Sequence, residues 1–280
     1  MKSIGLIDYY ISEWHANNYP VWIREICEKN GAQFEVKYAW AETDVSPVDG
    51  RTTDQWCEAF GVEKCASIGE LCEKSDYIII LAPSNPEKHL GYAKQALKYK
   101  KNTYIDKTFA PNYATAKQIF DIAAEYGTRF FSTSALRYGT ELDDLTGAKN
   151  IVTTGGGSSI EEYIIHQAEM VIKLTNKEPL SVRVERQGGQ YLCHAELEGG
   201  SKATMIFAVG LPFTVCAELA TGSTRYRKVD SDYFKLLLAD ILRFFECGET
   251  SFDTAQTLMV MKLRETVIRA CENEGKTITV

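Results

Sequence analysis

Ser75-Asp76-Tyr77-Ile78-Ile79-Ile80-Leu81-Ala82-Pro83, answered downstream by Thr103-Tyr104-Ile105-Asp106-Lys107-Thr108, is the stretch that decides the fold. Its apolar runs, residues 77–82 and 103–105, flank a segment of helical spacing at residues 87–100. Strand, helix, strand in that order is a parallel βαβ unit. Loops that follow parallel strands share one edge of the sheet, so residues 83–85 and 106–108 are expected to meet at a crevice. Lys107 stands where the second strand empties into that crevice. A lysine there can donate to a substrate oxygen or a cofactor ribose, and burial can draw its proton affinity towards neutrality. The competing reading is a solvated lysine, the common state of that residue.

Upstream, Ile4-Gly5-Leu6-Ile7 reads as a short buried strand, with a helix running to about Lys29 and closed by Asn30-Gly31. A strand at residues 34–40 follows, so the chain opens as β-α-β with a right-handed crossover. A dinucleotide-binding fingerprint, G-x-G-x-x-G, belongs between that first strand and helix, because glycines let the backbone approach a pyrophosphate seated on the helix N-terminus. The chain has Asp8-Tyr9-Tyr10-Ile11-Ser12-Glu13-Trp14-His15-Ala16 instead. A carboxylate at Asp8 repels phosphate, and Tyr9 or Tyr10 crowds it. Three routes to binding stay open: Ser12 and backbone amides hold the phosphate, the tyrosines fold outward, or the site takes something smaller. Against them stands a site that no longer binds a dinucleotide. Past the second strand, Glu42 or Asp44 is placed to hold a ribose diol, which favours NAD over NADP. Residues 43–54 read as a long exposed loop, a lid or idle surface, with short helices at 54–60 and 68–74.

Downstream, residues 113–126 have helical spacing ended by Gly127, and a strand at 129–132 closes a doubly wound domain at residue 133. The linker carries Arg137, a forked donor for an anionic or polyhydroxylated substrate, or one half of a structural ion pair. Gly155-Gly156-Gly157 then leads into a helix in which Glu162 and His166, four apart, share a face. A carboxylate so placed can fix the imidazole tautomer and support its charge in proton transfer. The glycines lack the lysine-serine pair of a phosphate loop. From Leu180 the pattern alternates through residues 182–184, 191–197, 203–207 and 213–219, as an antiparallel meander covered on one face. His194 and Glu196 fall on its polar face, most simply as a solvated pair. Helices at 233–246 and 253–272 and a strand at 277–280 end the chain.

Asp76, Ala82-Pro83-Ser84-Asn85, His89, Ala96-Leu97 and Asp106-Lys107-Thr108 resemble the D…(T/A)P-x-x-x-H…AL…EKP series of the glucose-fructose oxidoreductase / inositol dehydrogenase (Gfo/Idh/MocA) family. The lysine is kept within an altered frame. His15-Ala16 matches the family's His-Ala inside the first helix, and residues 155–169 resemble its GGG…D-x-x-x-H-x-x-D helix, with glutamates at 162 and 169. The closing helices, with Phe244-Phe245-Glu246-Cys247-Gly248, are also similar. The resemblance covers nearly the whole chain and implies a Rossmann-type α/β domain, residues 1–133, joined to an α+β substrate and oligomerisation domain, residues 134–280. It implies an NAD- or NADP-dependent oxidoreductase acting on a sugar, cyclitol or related polyol. Lys107, His166 and Glu162 are then catalytic; Asp8, Tyr10, Ser12, His15, Glu42, Pro83, Asn85, His89 and Asp106 line the cofactor; Arg137 and Glu169 meet the substrate. The alternative is a ligand-binding or regulatory protein of the same fold without a dinucleotide.

At 280 residues the chain fits two domains, and its formal charge of −7, with 31 basic residues dispersed, argues against nucleic-acid or anionic-membrane partners. The start leads directly into a strand without a signal-peptide apolar core, and the reading is a cytoplasmic homo-oligomer. Eight scattered cysteines without a C-x-x-C pair are expected as free thiols, with no metal site.

Overall fold

A computed structural model describes residues 1–280, which divide into two compact units. The first comprises Met1–Thr133 and Leu237–Phe252. Its elements are β1 (Lys2–Asp8), α1 (Trp14–Asn30), β2 (Phe34–Ala41), α2 (Thr53–Phe60), β3 (Glu63–Lys64), α3 (Ile68–Lys74), β4 (Tyr77–Ile80), α4 (Pro86–Ala96), β5 (Thr103–Ile105), α5 (Tyr113–Tyr126) and β6 (Phe130–Phe131). The strands form one parallel sheet in the order β3-β2-β1-β4-β5-β6. Ile78, Ile79 and Ile80 are fully buried, as a central parallel strand covered on both faces requires. The strand order reverses between β1 and β4, and the crevice beyond their carboxyl ends is where such sheets bind ligands.

Local sequence sets the helix ends. Thr52 and Gln55 form a reciprocal capping box on α2, Ser67 and Asn112 cap α3 and α5, and Pro86 opens α4 at a position that needs no N–H. Gly31 ends α1 in the left-handed region with φ of 73°.

The second unit comprises Ser134–Leu236 and Asp253–Val280. It holds β7 (Asn150–Gly155), α6 (Ile160–Thr175), β8 (Pro179–Gln187), β9 (Gln190–Leu197), β10 (Lys202–Phe207), β11 (Thr214–Glu218), β12 (Thr224–Lys228), α8 (Ala255–Cys271) and β13 (Thr277–Thr279). Helix α7 (Tyr233–Cys247) starts here and passes into the first unit. The seven-stranded sheet runs β12-β11-β7-β10-β9-β8-β13. It is antiparallel except where β7 and β10 lie parallel. Met170 and Leu174 of α6 pack on Ile151, Val215 and Ala217 of the sheet.

Two expectations need correction. The meander holds only for β8-β9-β10: β7, an unforeseen strand, inserts between β10 and β11 and pairs with both. Residues 134–280 are not one body either, because Leu237–Phe252 packs into the first unit. The cause is aromatic. Phe245 stacks on Tyr77 at 4.7 Å and Phe244 meets Phe131 edge-on at 5.0 Å. All eight cysteines are free thiols, and no helix is long and apolar enough to cross a membrane.

The glycine row before α6 answers to packing. A Cβ on Gly156 would sit 2.1 Å from Ala208 O and 2.8 Å from Leu211 N, both backbone atoms that cannot turn aside. A Cβ on Gly155 or Gly157 would strike the ring of Phe213 or Tyr163. Gly156→Ala is therefore expected to destabilise the second unit by about 1–3 kcal/mol or more through overpacking. Urea unfolding checks this, and a wild-type midpoint would show that the turn gives way freely.

Candidate functional site

The loops after β4 and β5 meet, with Lys107 Nζ donating to Pro83 O at 3.5 Å and Asp106 N to Ile80 O at 2.9 Å. Lys107 is half-buried, and a cis peptide joins it to Thr108. Asn85 precedes the first turn of α4 and donates from Nδ2 to Glu87. His89 is fully buried, its ring nitrogens 3.0 Å from Phe109 O and 2.5 Å from Leu81 O. Burial holds its pKa below the ordinary imidazole value, against the raising effect of those two carbonyls. This corrects its expected role, since His89 ties the two loops together and has no ring atom left to offer a cofactor.

The loop between β1 and α1 is acidic where a dinucleotide site is rich in N–H donors. Glu13 is the N-cap of α1, and its carboxylate accepts from Ala16 N at 2.5 Å and His15 N at 2.9 Å, with His15 Nδ1 at 3.1 Å. His15 Nε2 lies 3.8 Å from Asp106 Oδ2. Asp8 Oδ1 accepts from Tyr9 N at 2.7 Å and Ala82 N at 3.0 Å, while Asp8 Oδ2 and Asp106 Oδ2 are buried without a hydrogen-bond partner. Burial first, and then the charge of Glu13, raises the Asp8 pKa well above the carboxylate range, opposed by those two amides. Tyr104 OH donates to Asp106 Oδ1 at 3.0 Å.

At the ribose end, Glu42 accepts from Lys88 at 2.5 Å and Tyr92 OH at 2.8 Å, and Lys88 also lies over the Tyr9 ring. The hydrogen bond from Lys88 lowers the Glu42 pKa, with burial opposing. Ser12 is buried and donates to Asp49, so it faces a loop instead of solvent. These residues do not fit a dinucleotide held by its pyrophosphate on α1, because the amides that would bind phosphate already bind Glu13.

In the second unit, His166 Nδ1 lies 2.7 Å from Ser134 Oγ, and the rings of Tyr163 and Phe213 stand 5.6 and 5.5 Å from its own. These are the two rings for which Gly157 and Gly155 leave room. Ser134 suits either tautomer: its oxygen can accept from Nδ1–H, leaving Nε2 as a base, or its hydroxyl can donate to Nδ1. Glu162 accepts from Ser158 Oγ at 3.1 Å. Arg137 and Glu169, expected at the substrate, form a buried ion pair at 2.5 Å, and Glu169 Oε2 also accepts from Ser134 N at 3.2 Å. Their role is corrected to framework: they hold the segment that carries Ser134 beside His166. Ser134 and the two rings escaped the sequence reading because no motif spacing marks them.

The class is set by the fold, a parallel six-stranded nucleotide-type sheet and a largely antiparallel seven-stranded sheet. Residues 26–134 match the model of an oxidoreductase family with an NAD-binding Rossmann fold, the Gfo/Idh/MocA family. The match begins beyond the loop of Asp8 and Glu13. No curated protein matches the sequence. Among solved structures, a probable dehydrogenase from Thermotoga maritima superposes with a TM-score of 0.80 at 11% identity, covering 99% of this chain and 98% of its own. Myo-inositol dehydrogenase from Lactobacillus casei, solved with NAD(H) and myo-inositol, gives 0.80 at 10% identity over 100% and 96%. UDP-N-acetylglucosamine 3-dehydrogenase from Acidithiobacillus ferrooxidans gives 0.75 at 14% identity over 96% and 97%. The chain shares the fold of these dehydrogenases along its length and matches the family's model over residues 26–134, with an altered loop where the glycine fingerprint would stand.

Proposed function

We propose that the protein recognises a sugar, cyclitol or related polyol around His166 and works without a dinucleotide held in its family's manner, as a ligand-binding or regulatory member. The carrying observation is the setting of His166, a half-buried imidazole with a hydroxyl partner and two flanking aromatic rings. Rings that cover apolar C–H faces beside one convergent polar group suit a polyol. His166 would hydrogen-bond a hydroxyl of the ligand, with Ser134 Oγ on its Nδ1 and Glu162 on the same helix face.

A second reading, NAD- or NADP-dependent oxidation of a CH–OH group, is favoured by Lys107 at the end of β5 and by the dehydrogenases of this fold. NAD is the cofactor that Glu42 would favour in that case. The reading includes a cytoplasmic location and a homo-oligomer formed through the open face of the seven-stranded sheet, where Val152 and Tyr226 are exposed.

Calorimetric titration decides between the readings. The wild type is expected to bind myo-inositol or a related polyol, His166→Ala to bind it at least tenfold more weakly, and NAD, NADH, NADP and NADPH to give no heat. Dinucleotide binding at micromolar strength with polyol turnover would establish the second reading, and unchanged polyol affinity in His166→Ala would remove His166 from the site.

A further inference from the structure

We infer that Glu13 is a resident substitute for phosphate at the N-terminus of α1, and that the loop between β2 and α2 fastens the segment that carries it, so the first unit is closed to phosphoanions by its own sequence. This deepens the dinucleotide-free part of the proposed function and rests on it, whereas the polyol part is independent.

Three features of the first unit carry the inference. The first is occupancy. A helix N-terminus bears a partial positive charge of roughly half a unit on its unpaired N–H groups, and an anion there is stabilised by both. Glu13 supplies that anion from within the chain, taking the amides of His15 and Ala16 and the ring nitrogen of His15 while 5% exposed. A pyrophosphate would have to displace a covalently tethered carboxylate from these donors.

The second feature is the field around the cap. Asp8 and Asp106 are each 1% exposed and both carry an oxygen without a hydrogen-bond partner. Besides burial, Glu13 and Asp106 both push up the pKa of Asp8 and of Tyr19. In a poorly screened interior, a phosphoanion would meet the same repulsion from Glu13 and Asp106 that already disfavours charge on Asp8.

The third feature is the strap formed by the segment between β2 and α2. Glu42 N donates to Asp8 O at 3.1 Å and Thr43 N to Tyr9 O at 2.8 Å. Ser46 Oγ donates to Ser12 O at 2.7 Å, and Ser12 Oγ to Asp49 Oδ2 at 2.8 Å. Ser46 N and Arg51 O close the strap on itself at 2.9 Å. The long loop read from sequence as a lid or idle surface is thus stitched across the altered loop through both backbone and side-chain hydrogen bonds. Occupancy, charge and closure are separate properties, and all three exclude the same ligand class.

The test is calorimetric titration of the full chain with inorganic pyrophosphate and with NADH, for the wild type, Glu13→Ser and Glu13→Gln. Serine keeps a cap and vacates the carboxylate's place; glutamine keeps the shape and removes the charge. Circular dichroism establishes which variants fold. The wild type is expected to bind neither probe at millimolar concentration, and at least one folded variant to bind pyrophosphate tenfold or more tightly, with an affinity that falls as salt rises. Micromolar NADH binding by the wild type would overturn the inference, as would folded variants that bind pyrophosphate no better than the wild type. Absence of heat when the wild type is titrated separately with myo-inositol would count against the proposed function alone.

Discussion

Arg137→Ala is expected to lower the stability of the second unit by about 3–5 kcal/mol, the cost typical of stripping one partner from a buried ion pair. Arg137 and Glu169 are 5% and 3% exposed, and the guanidinium Nε meets the carboxylate at 2.5 Å. Removing the cation strands a carboxylate whose second oxygen is committed to Ser134 N. Because Ser134 Oγ partners His166, the loss should propagate to ligand recognition as well as to unfolding. Arg137→Met with Glu169→Gln is expected to recover most of the stability, since no unpaired charge is then buried and glutamine can still accept from Ser134 N. Thermal and urea unfolding measure both variants. A loss below about 1 kcal/mol in Arg137→Ala would mean that water reaches the pair and screens it, as it does for surface ion pairs.

The parallel sheet was legible because a strand buried on both faces must be apolar along its length, and residues 77–82 and 103–105 meet that condition. The family motifs placed Lys107 and His166 on the correct elements for the same reason, since each follows a recognisable strand or cap. Strand β7 was not legible. Its parallel partner β10 lies some fifty residues on, and nothing local in Ile151-Val152-Thr153-Thr154 announces a pairing at that distance. Glu13 escaped for a different reason. The sequence reading looked to Ser12 to hold a phosphate, and short oxygen-bearing side chains are the favoured N-caps, whereas here the longer glutamate folds back onto the amides of the first turn. Arg137 was left between a substrate and an ion pair because spacing cannot say which acid faces it.

Asp8→Asn is expected to flatten the pH dependence of stability and to stabilise the first unit above neutral pH. The folded-state pKa of Asp8 is raised, by burial first and by the charge of Glu13 next, so folding takes up a proton at this residue. Stability from Asp8 is therefore fully present below the ordinary carboxylate pKa of about 3.9 and is lost as pH rises towards the raised folded value. Across that window the slope can approach about 1.4 kcal/mol per pH unit for one group. Asparagine keeps the carbonyl oxygen that accepts from Tyr9 N and Ala82 N, and it replaces the unpartnered oxygen with an amide that carries no charge. Urea unfolding of wild type and variant between pH 4 and pH 9 reads the difference. Identical slopes would show that Asp8 stays ionised in the folded protein. Since Glu13 contributes to the Asp8 shift, Glu13→Gln should reduce the wild-type slope without abolishing it. That dependence separates the cost of burying Asp8 from the cost of placing two acids where a phosphate-binding loop keeps glycines.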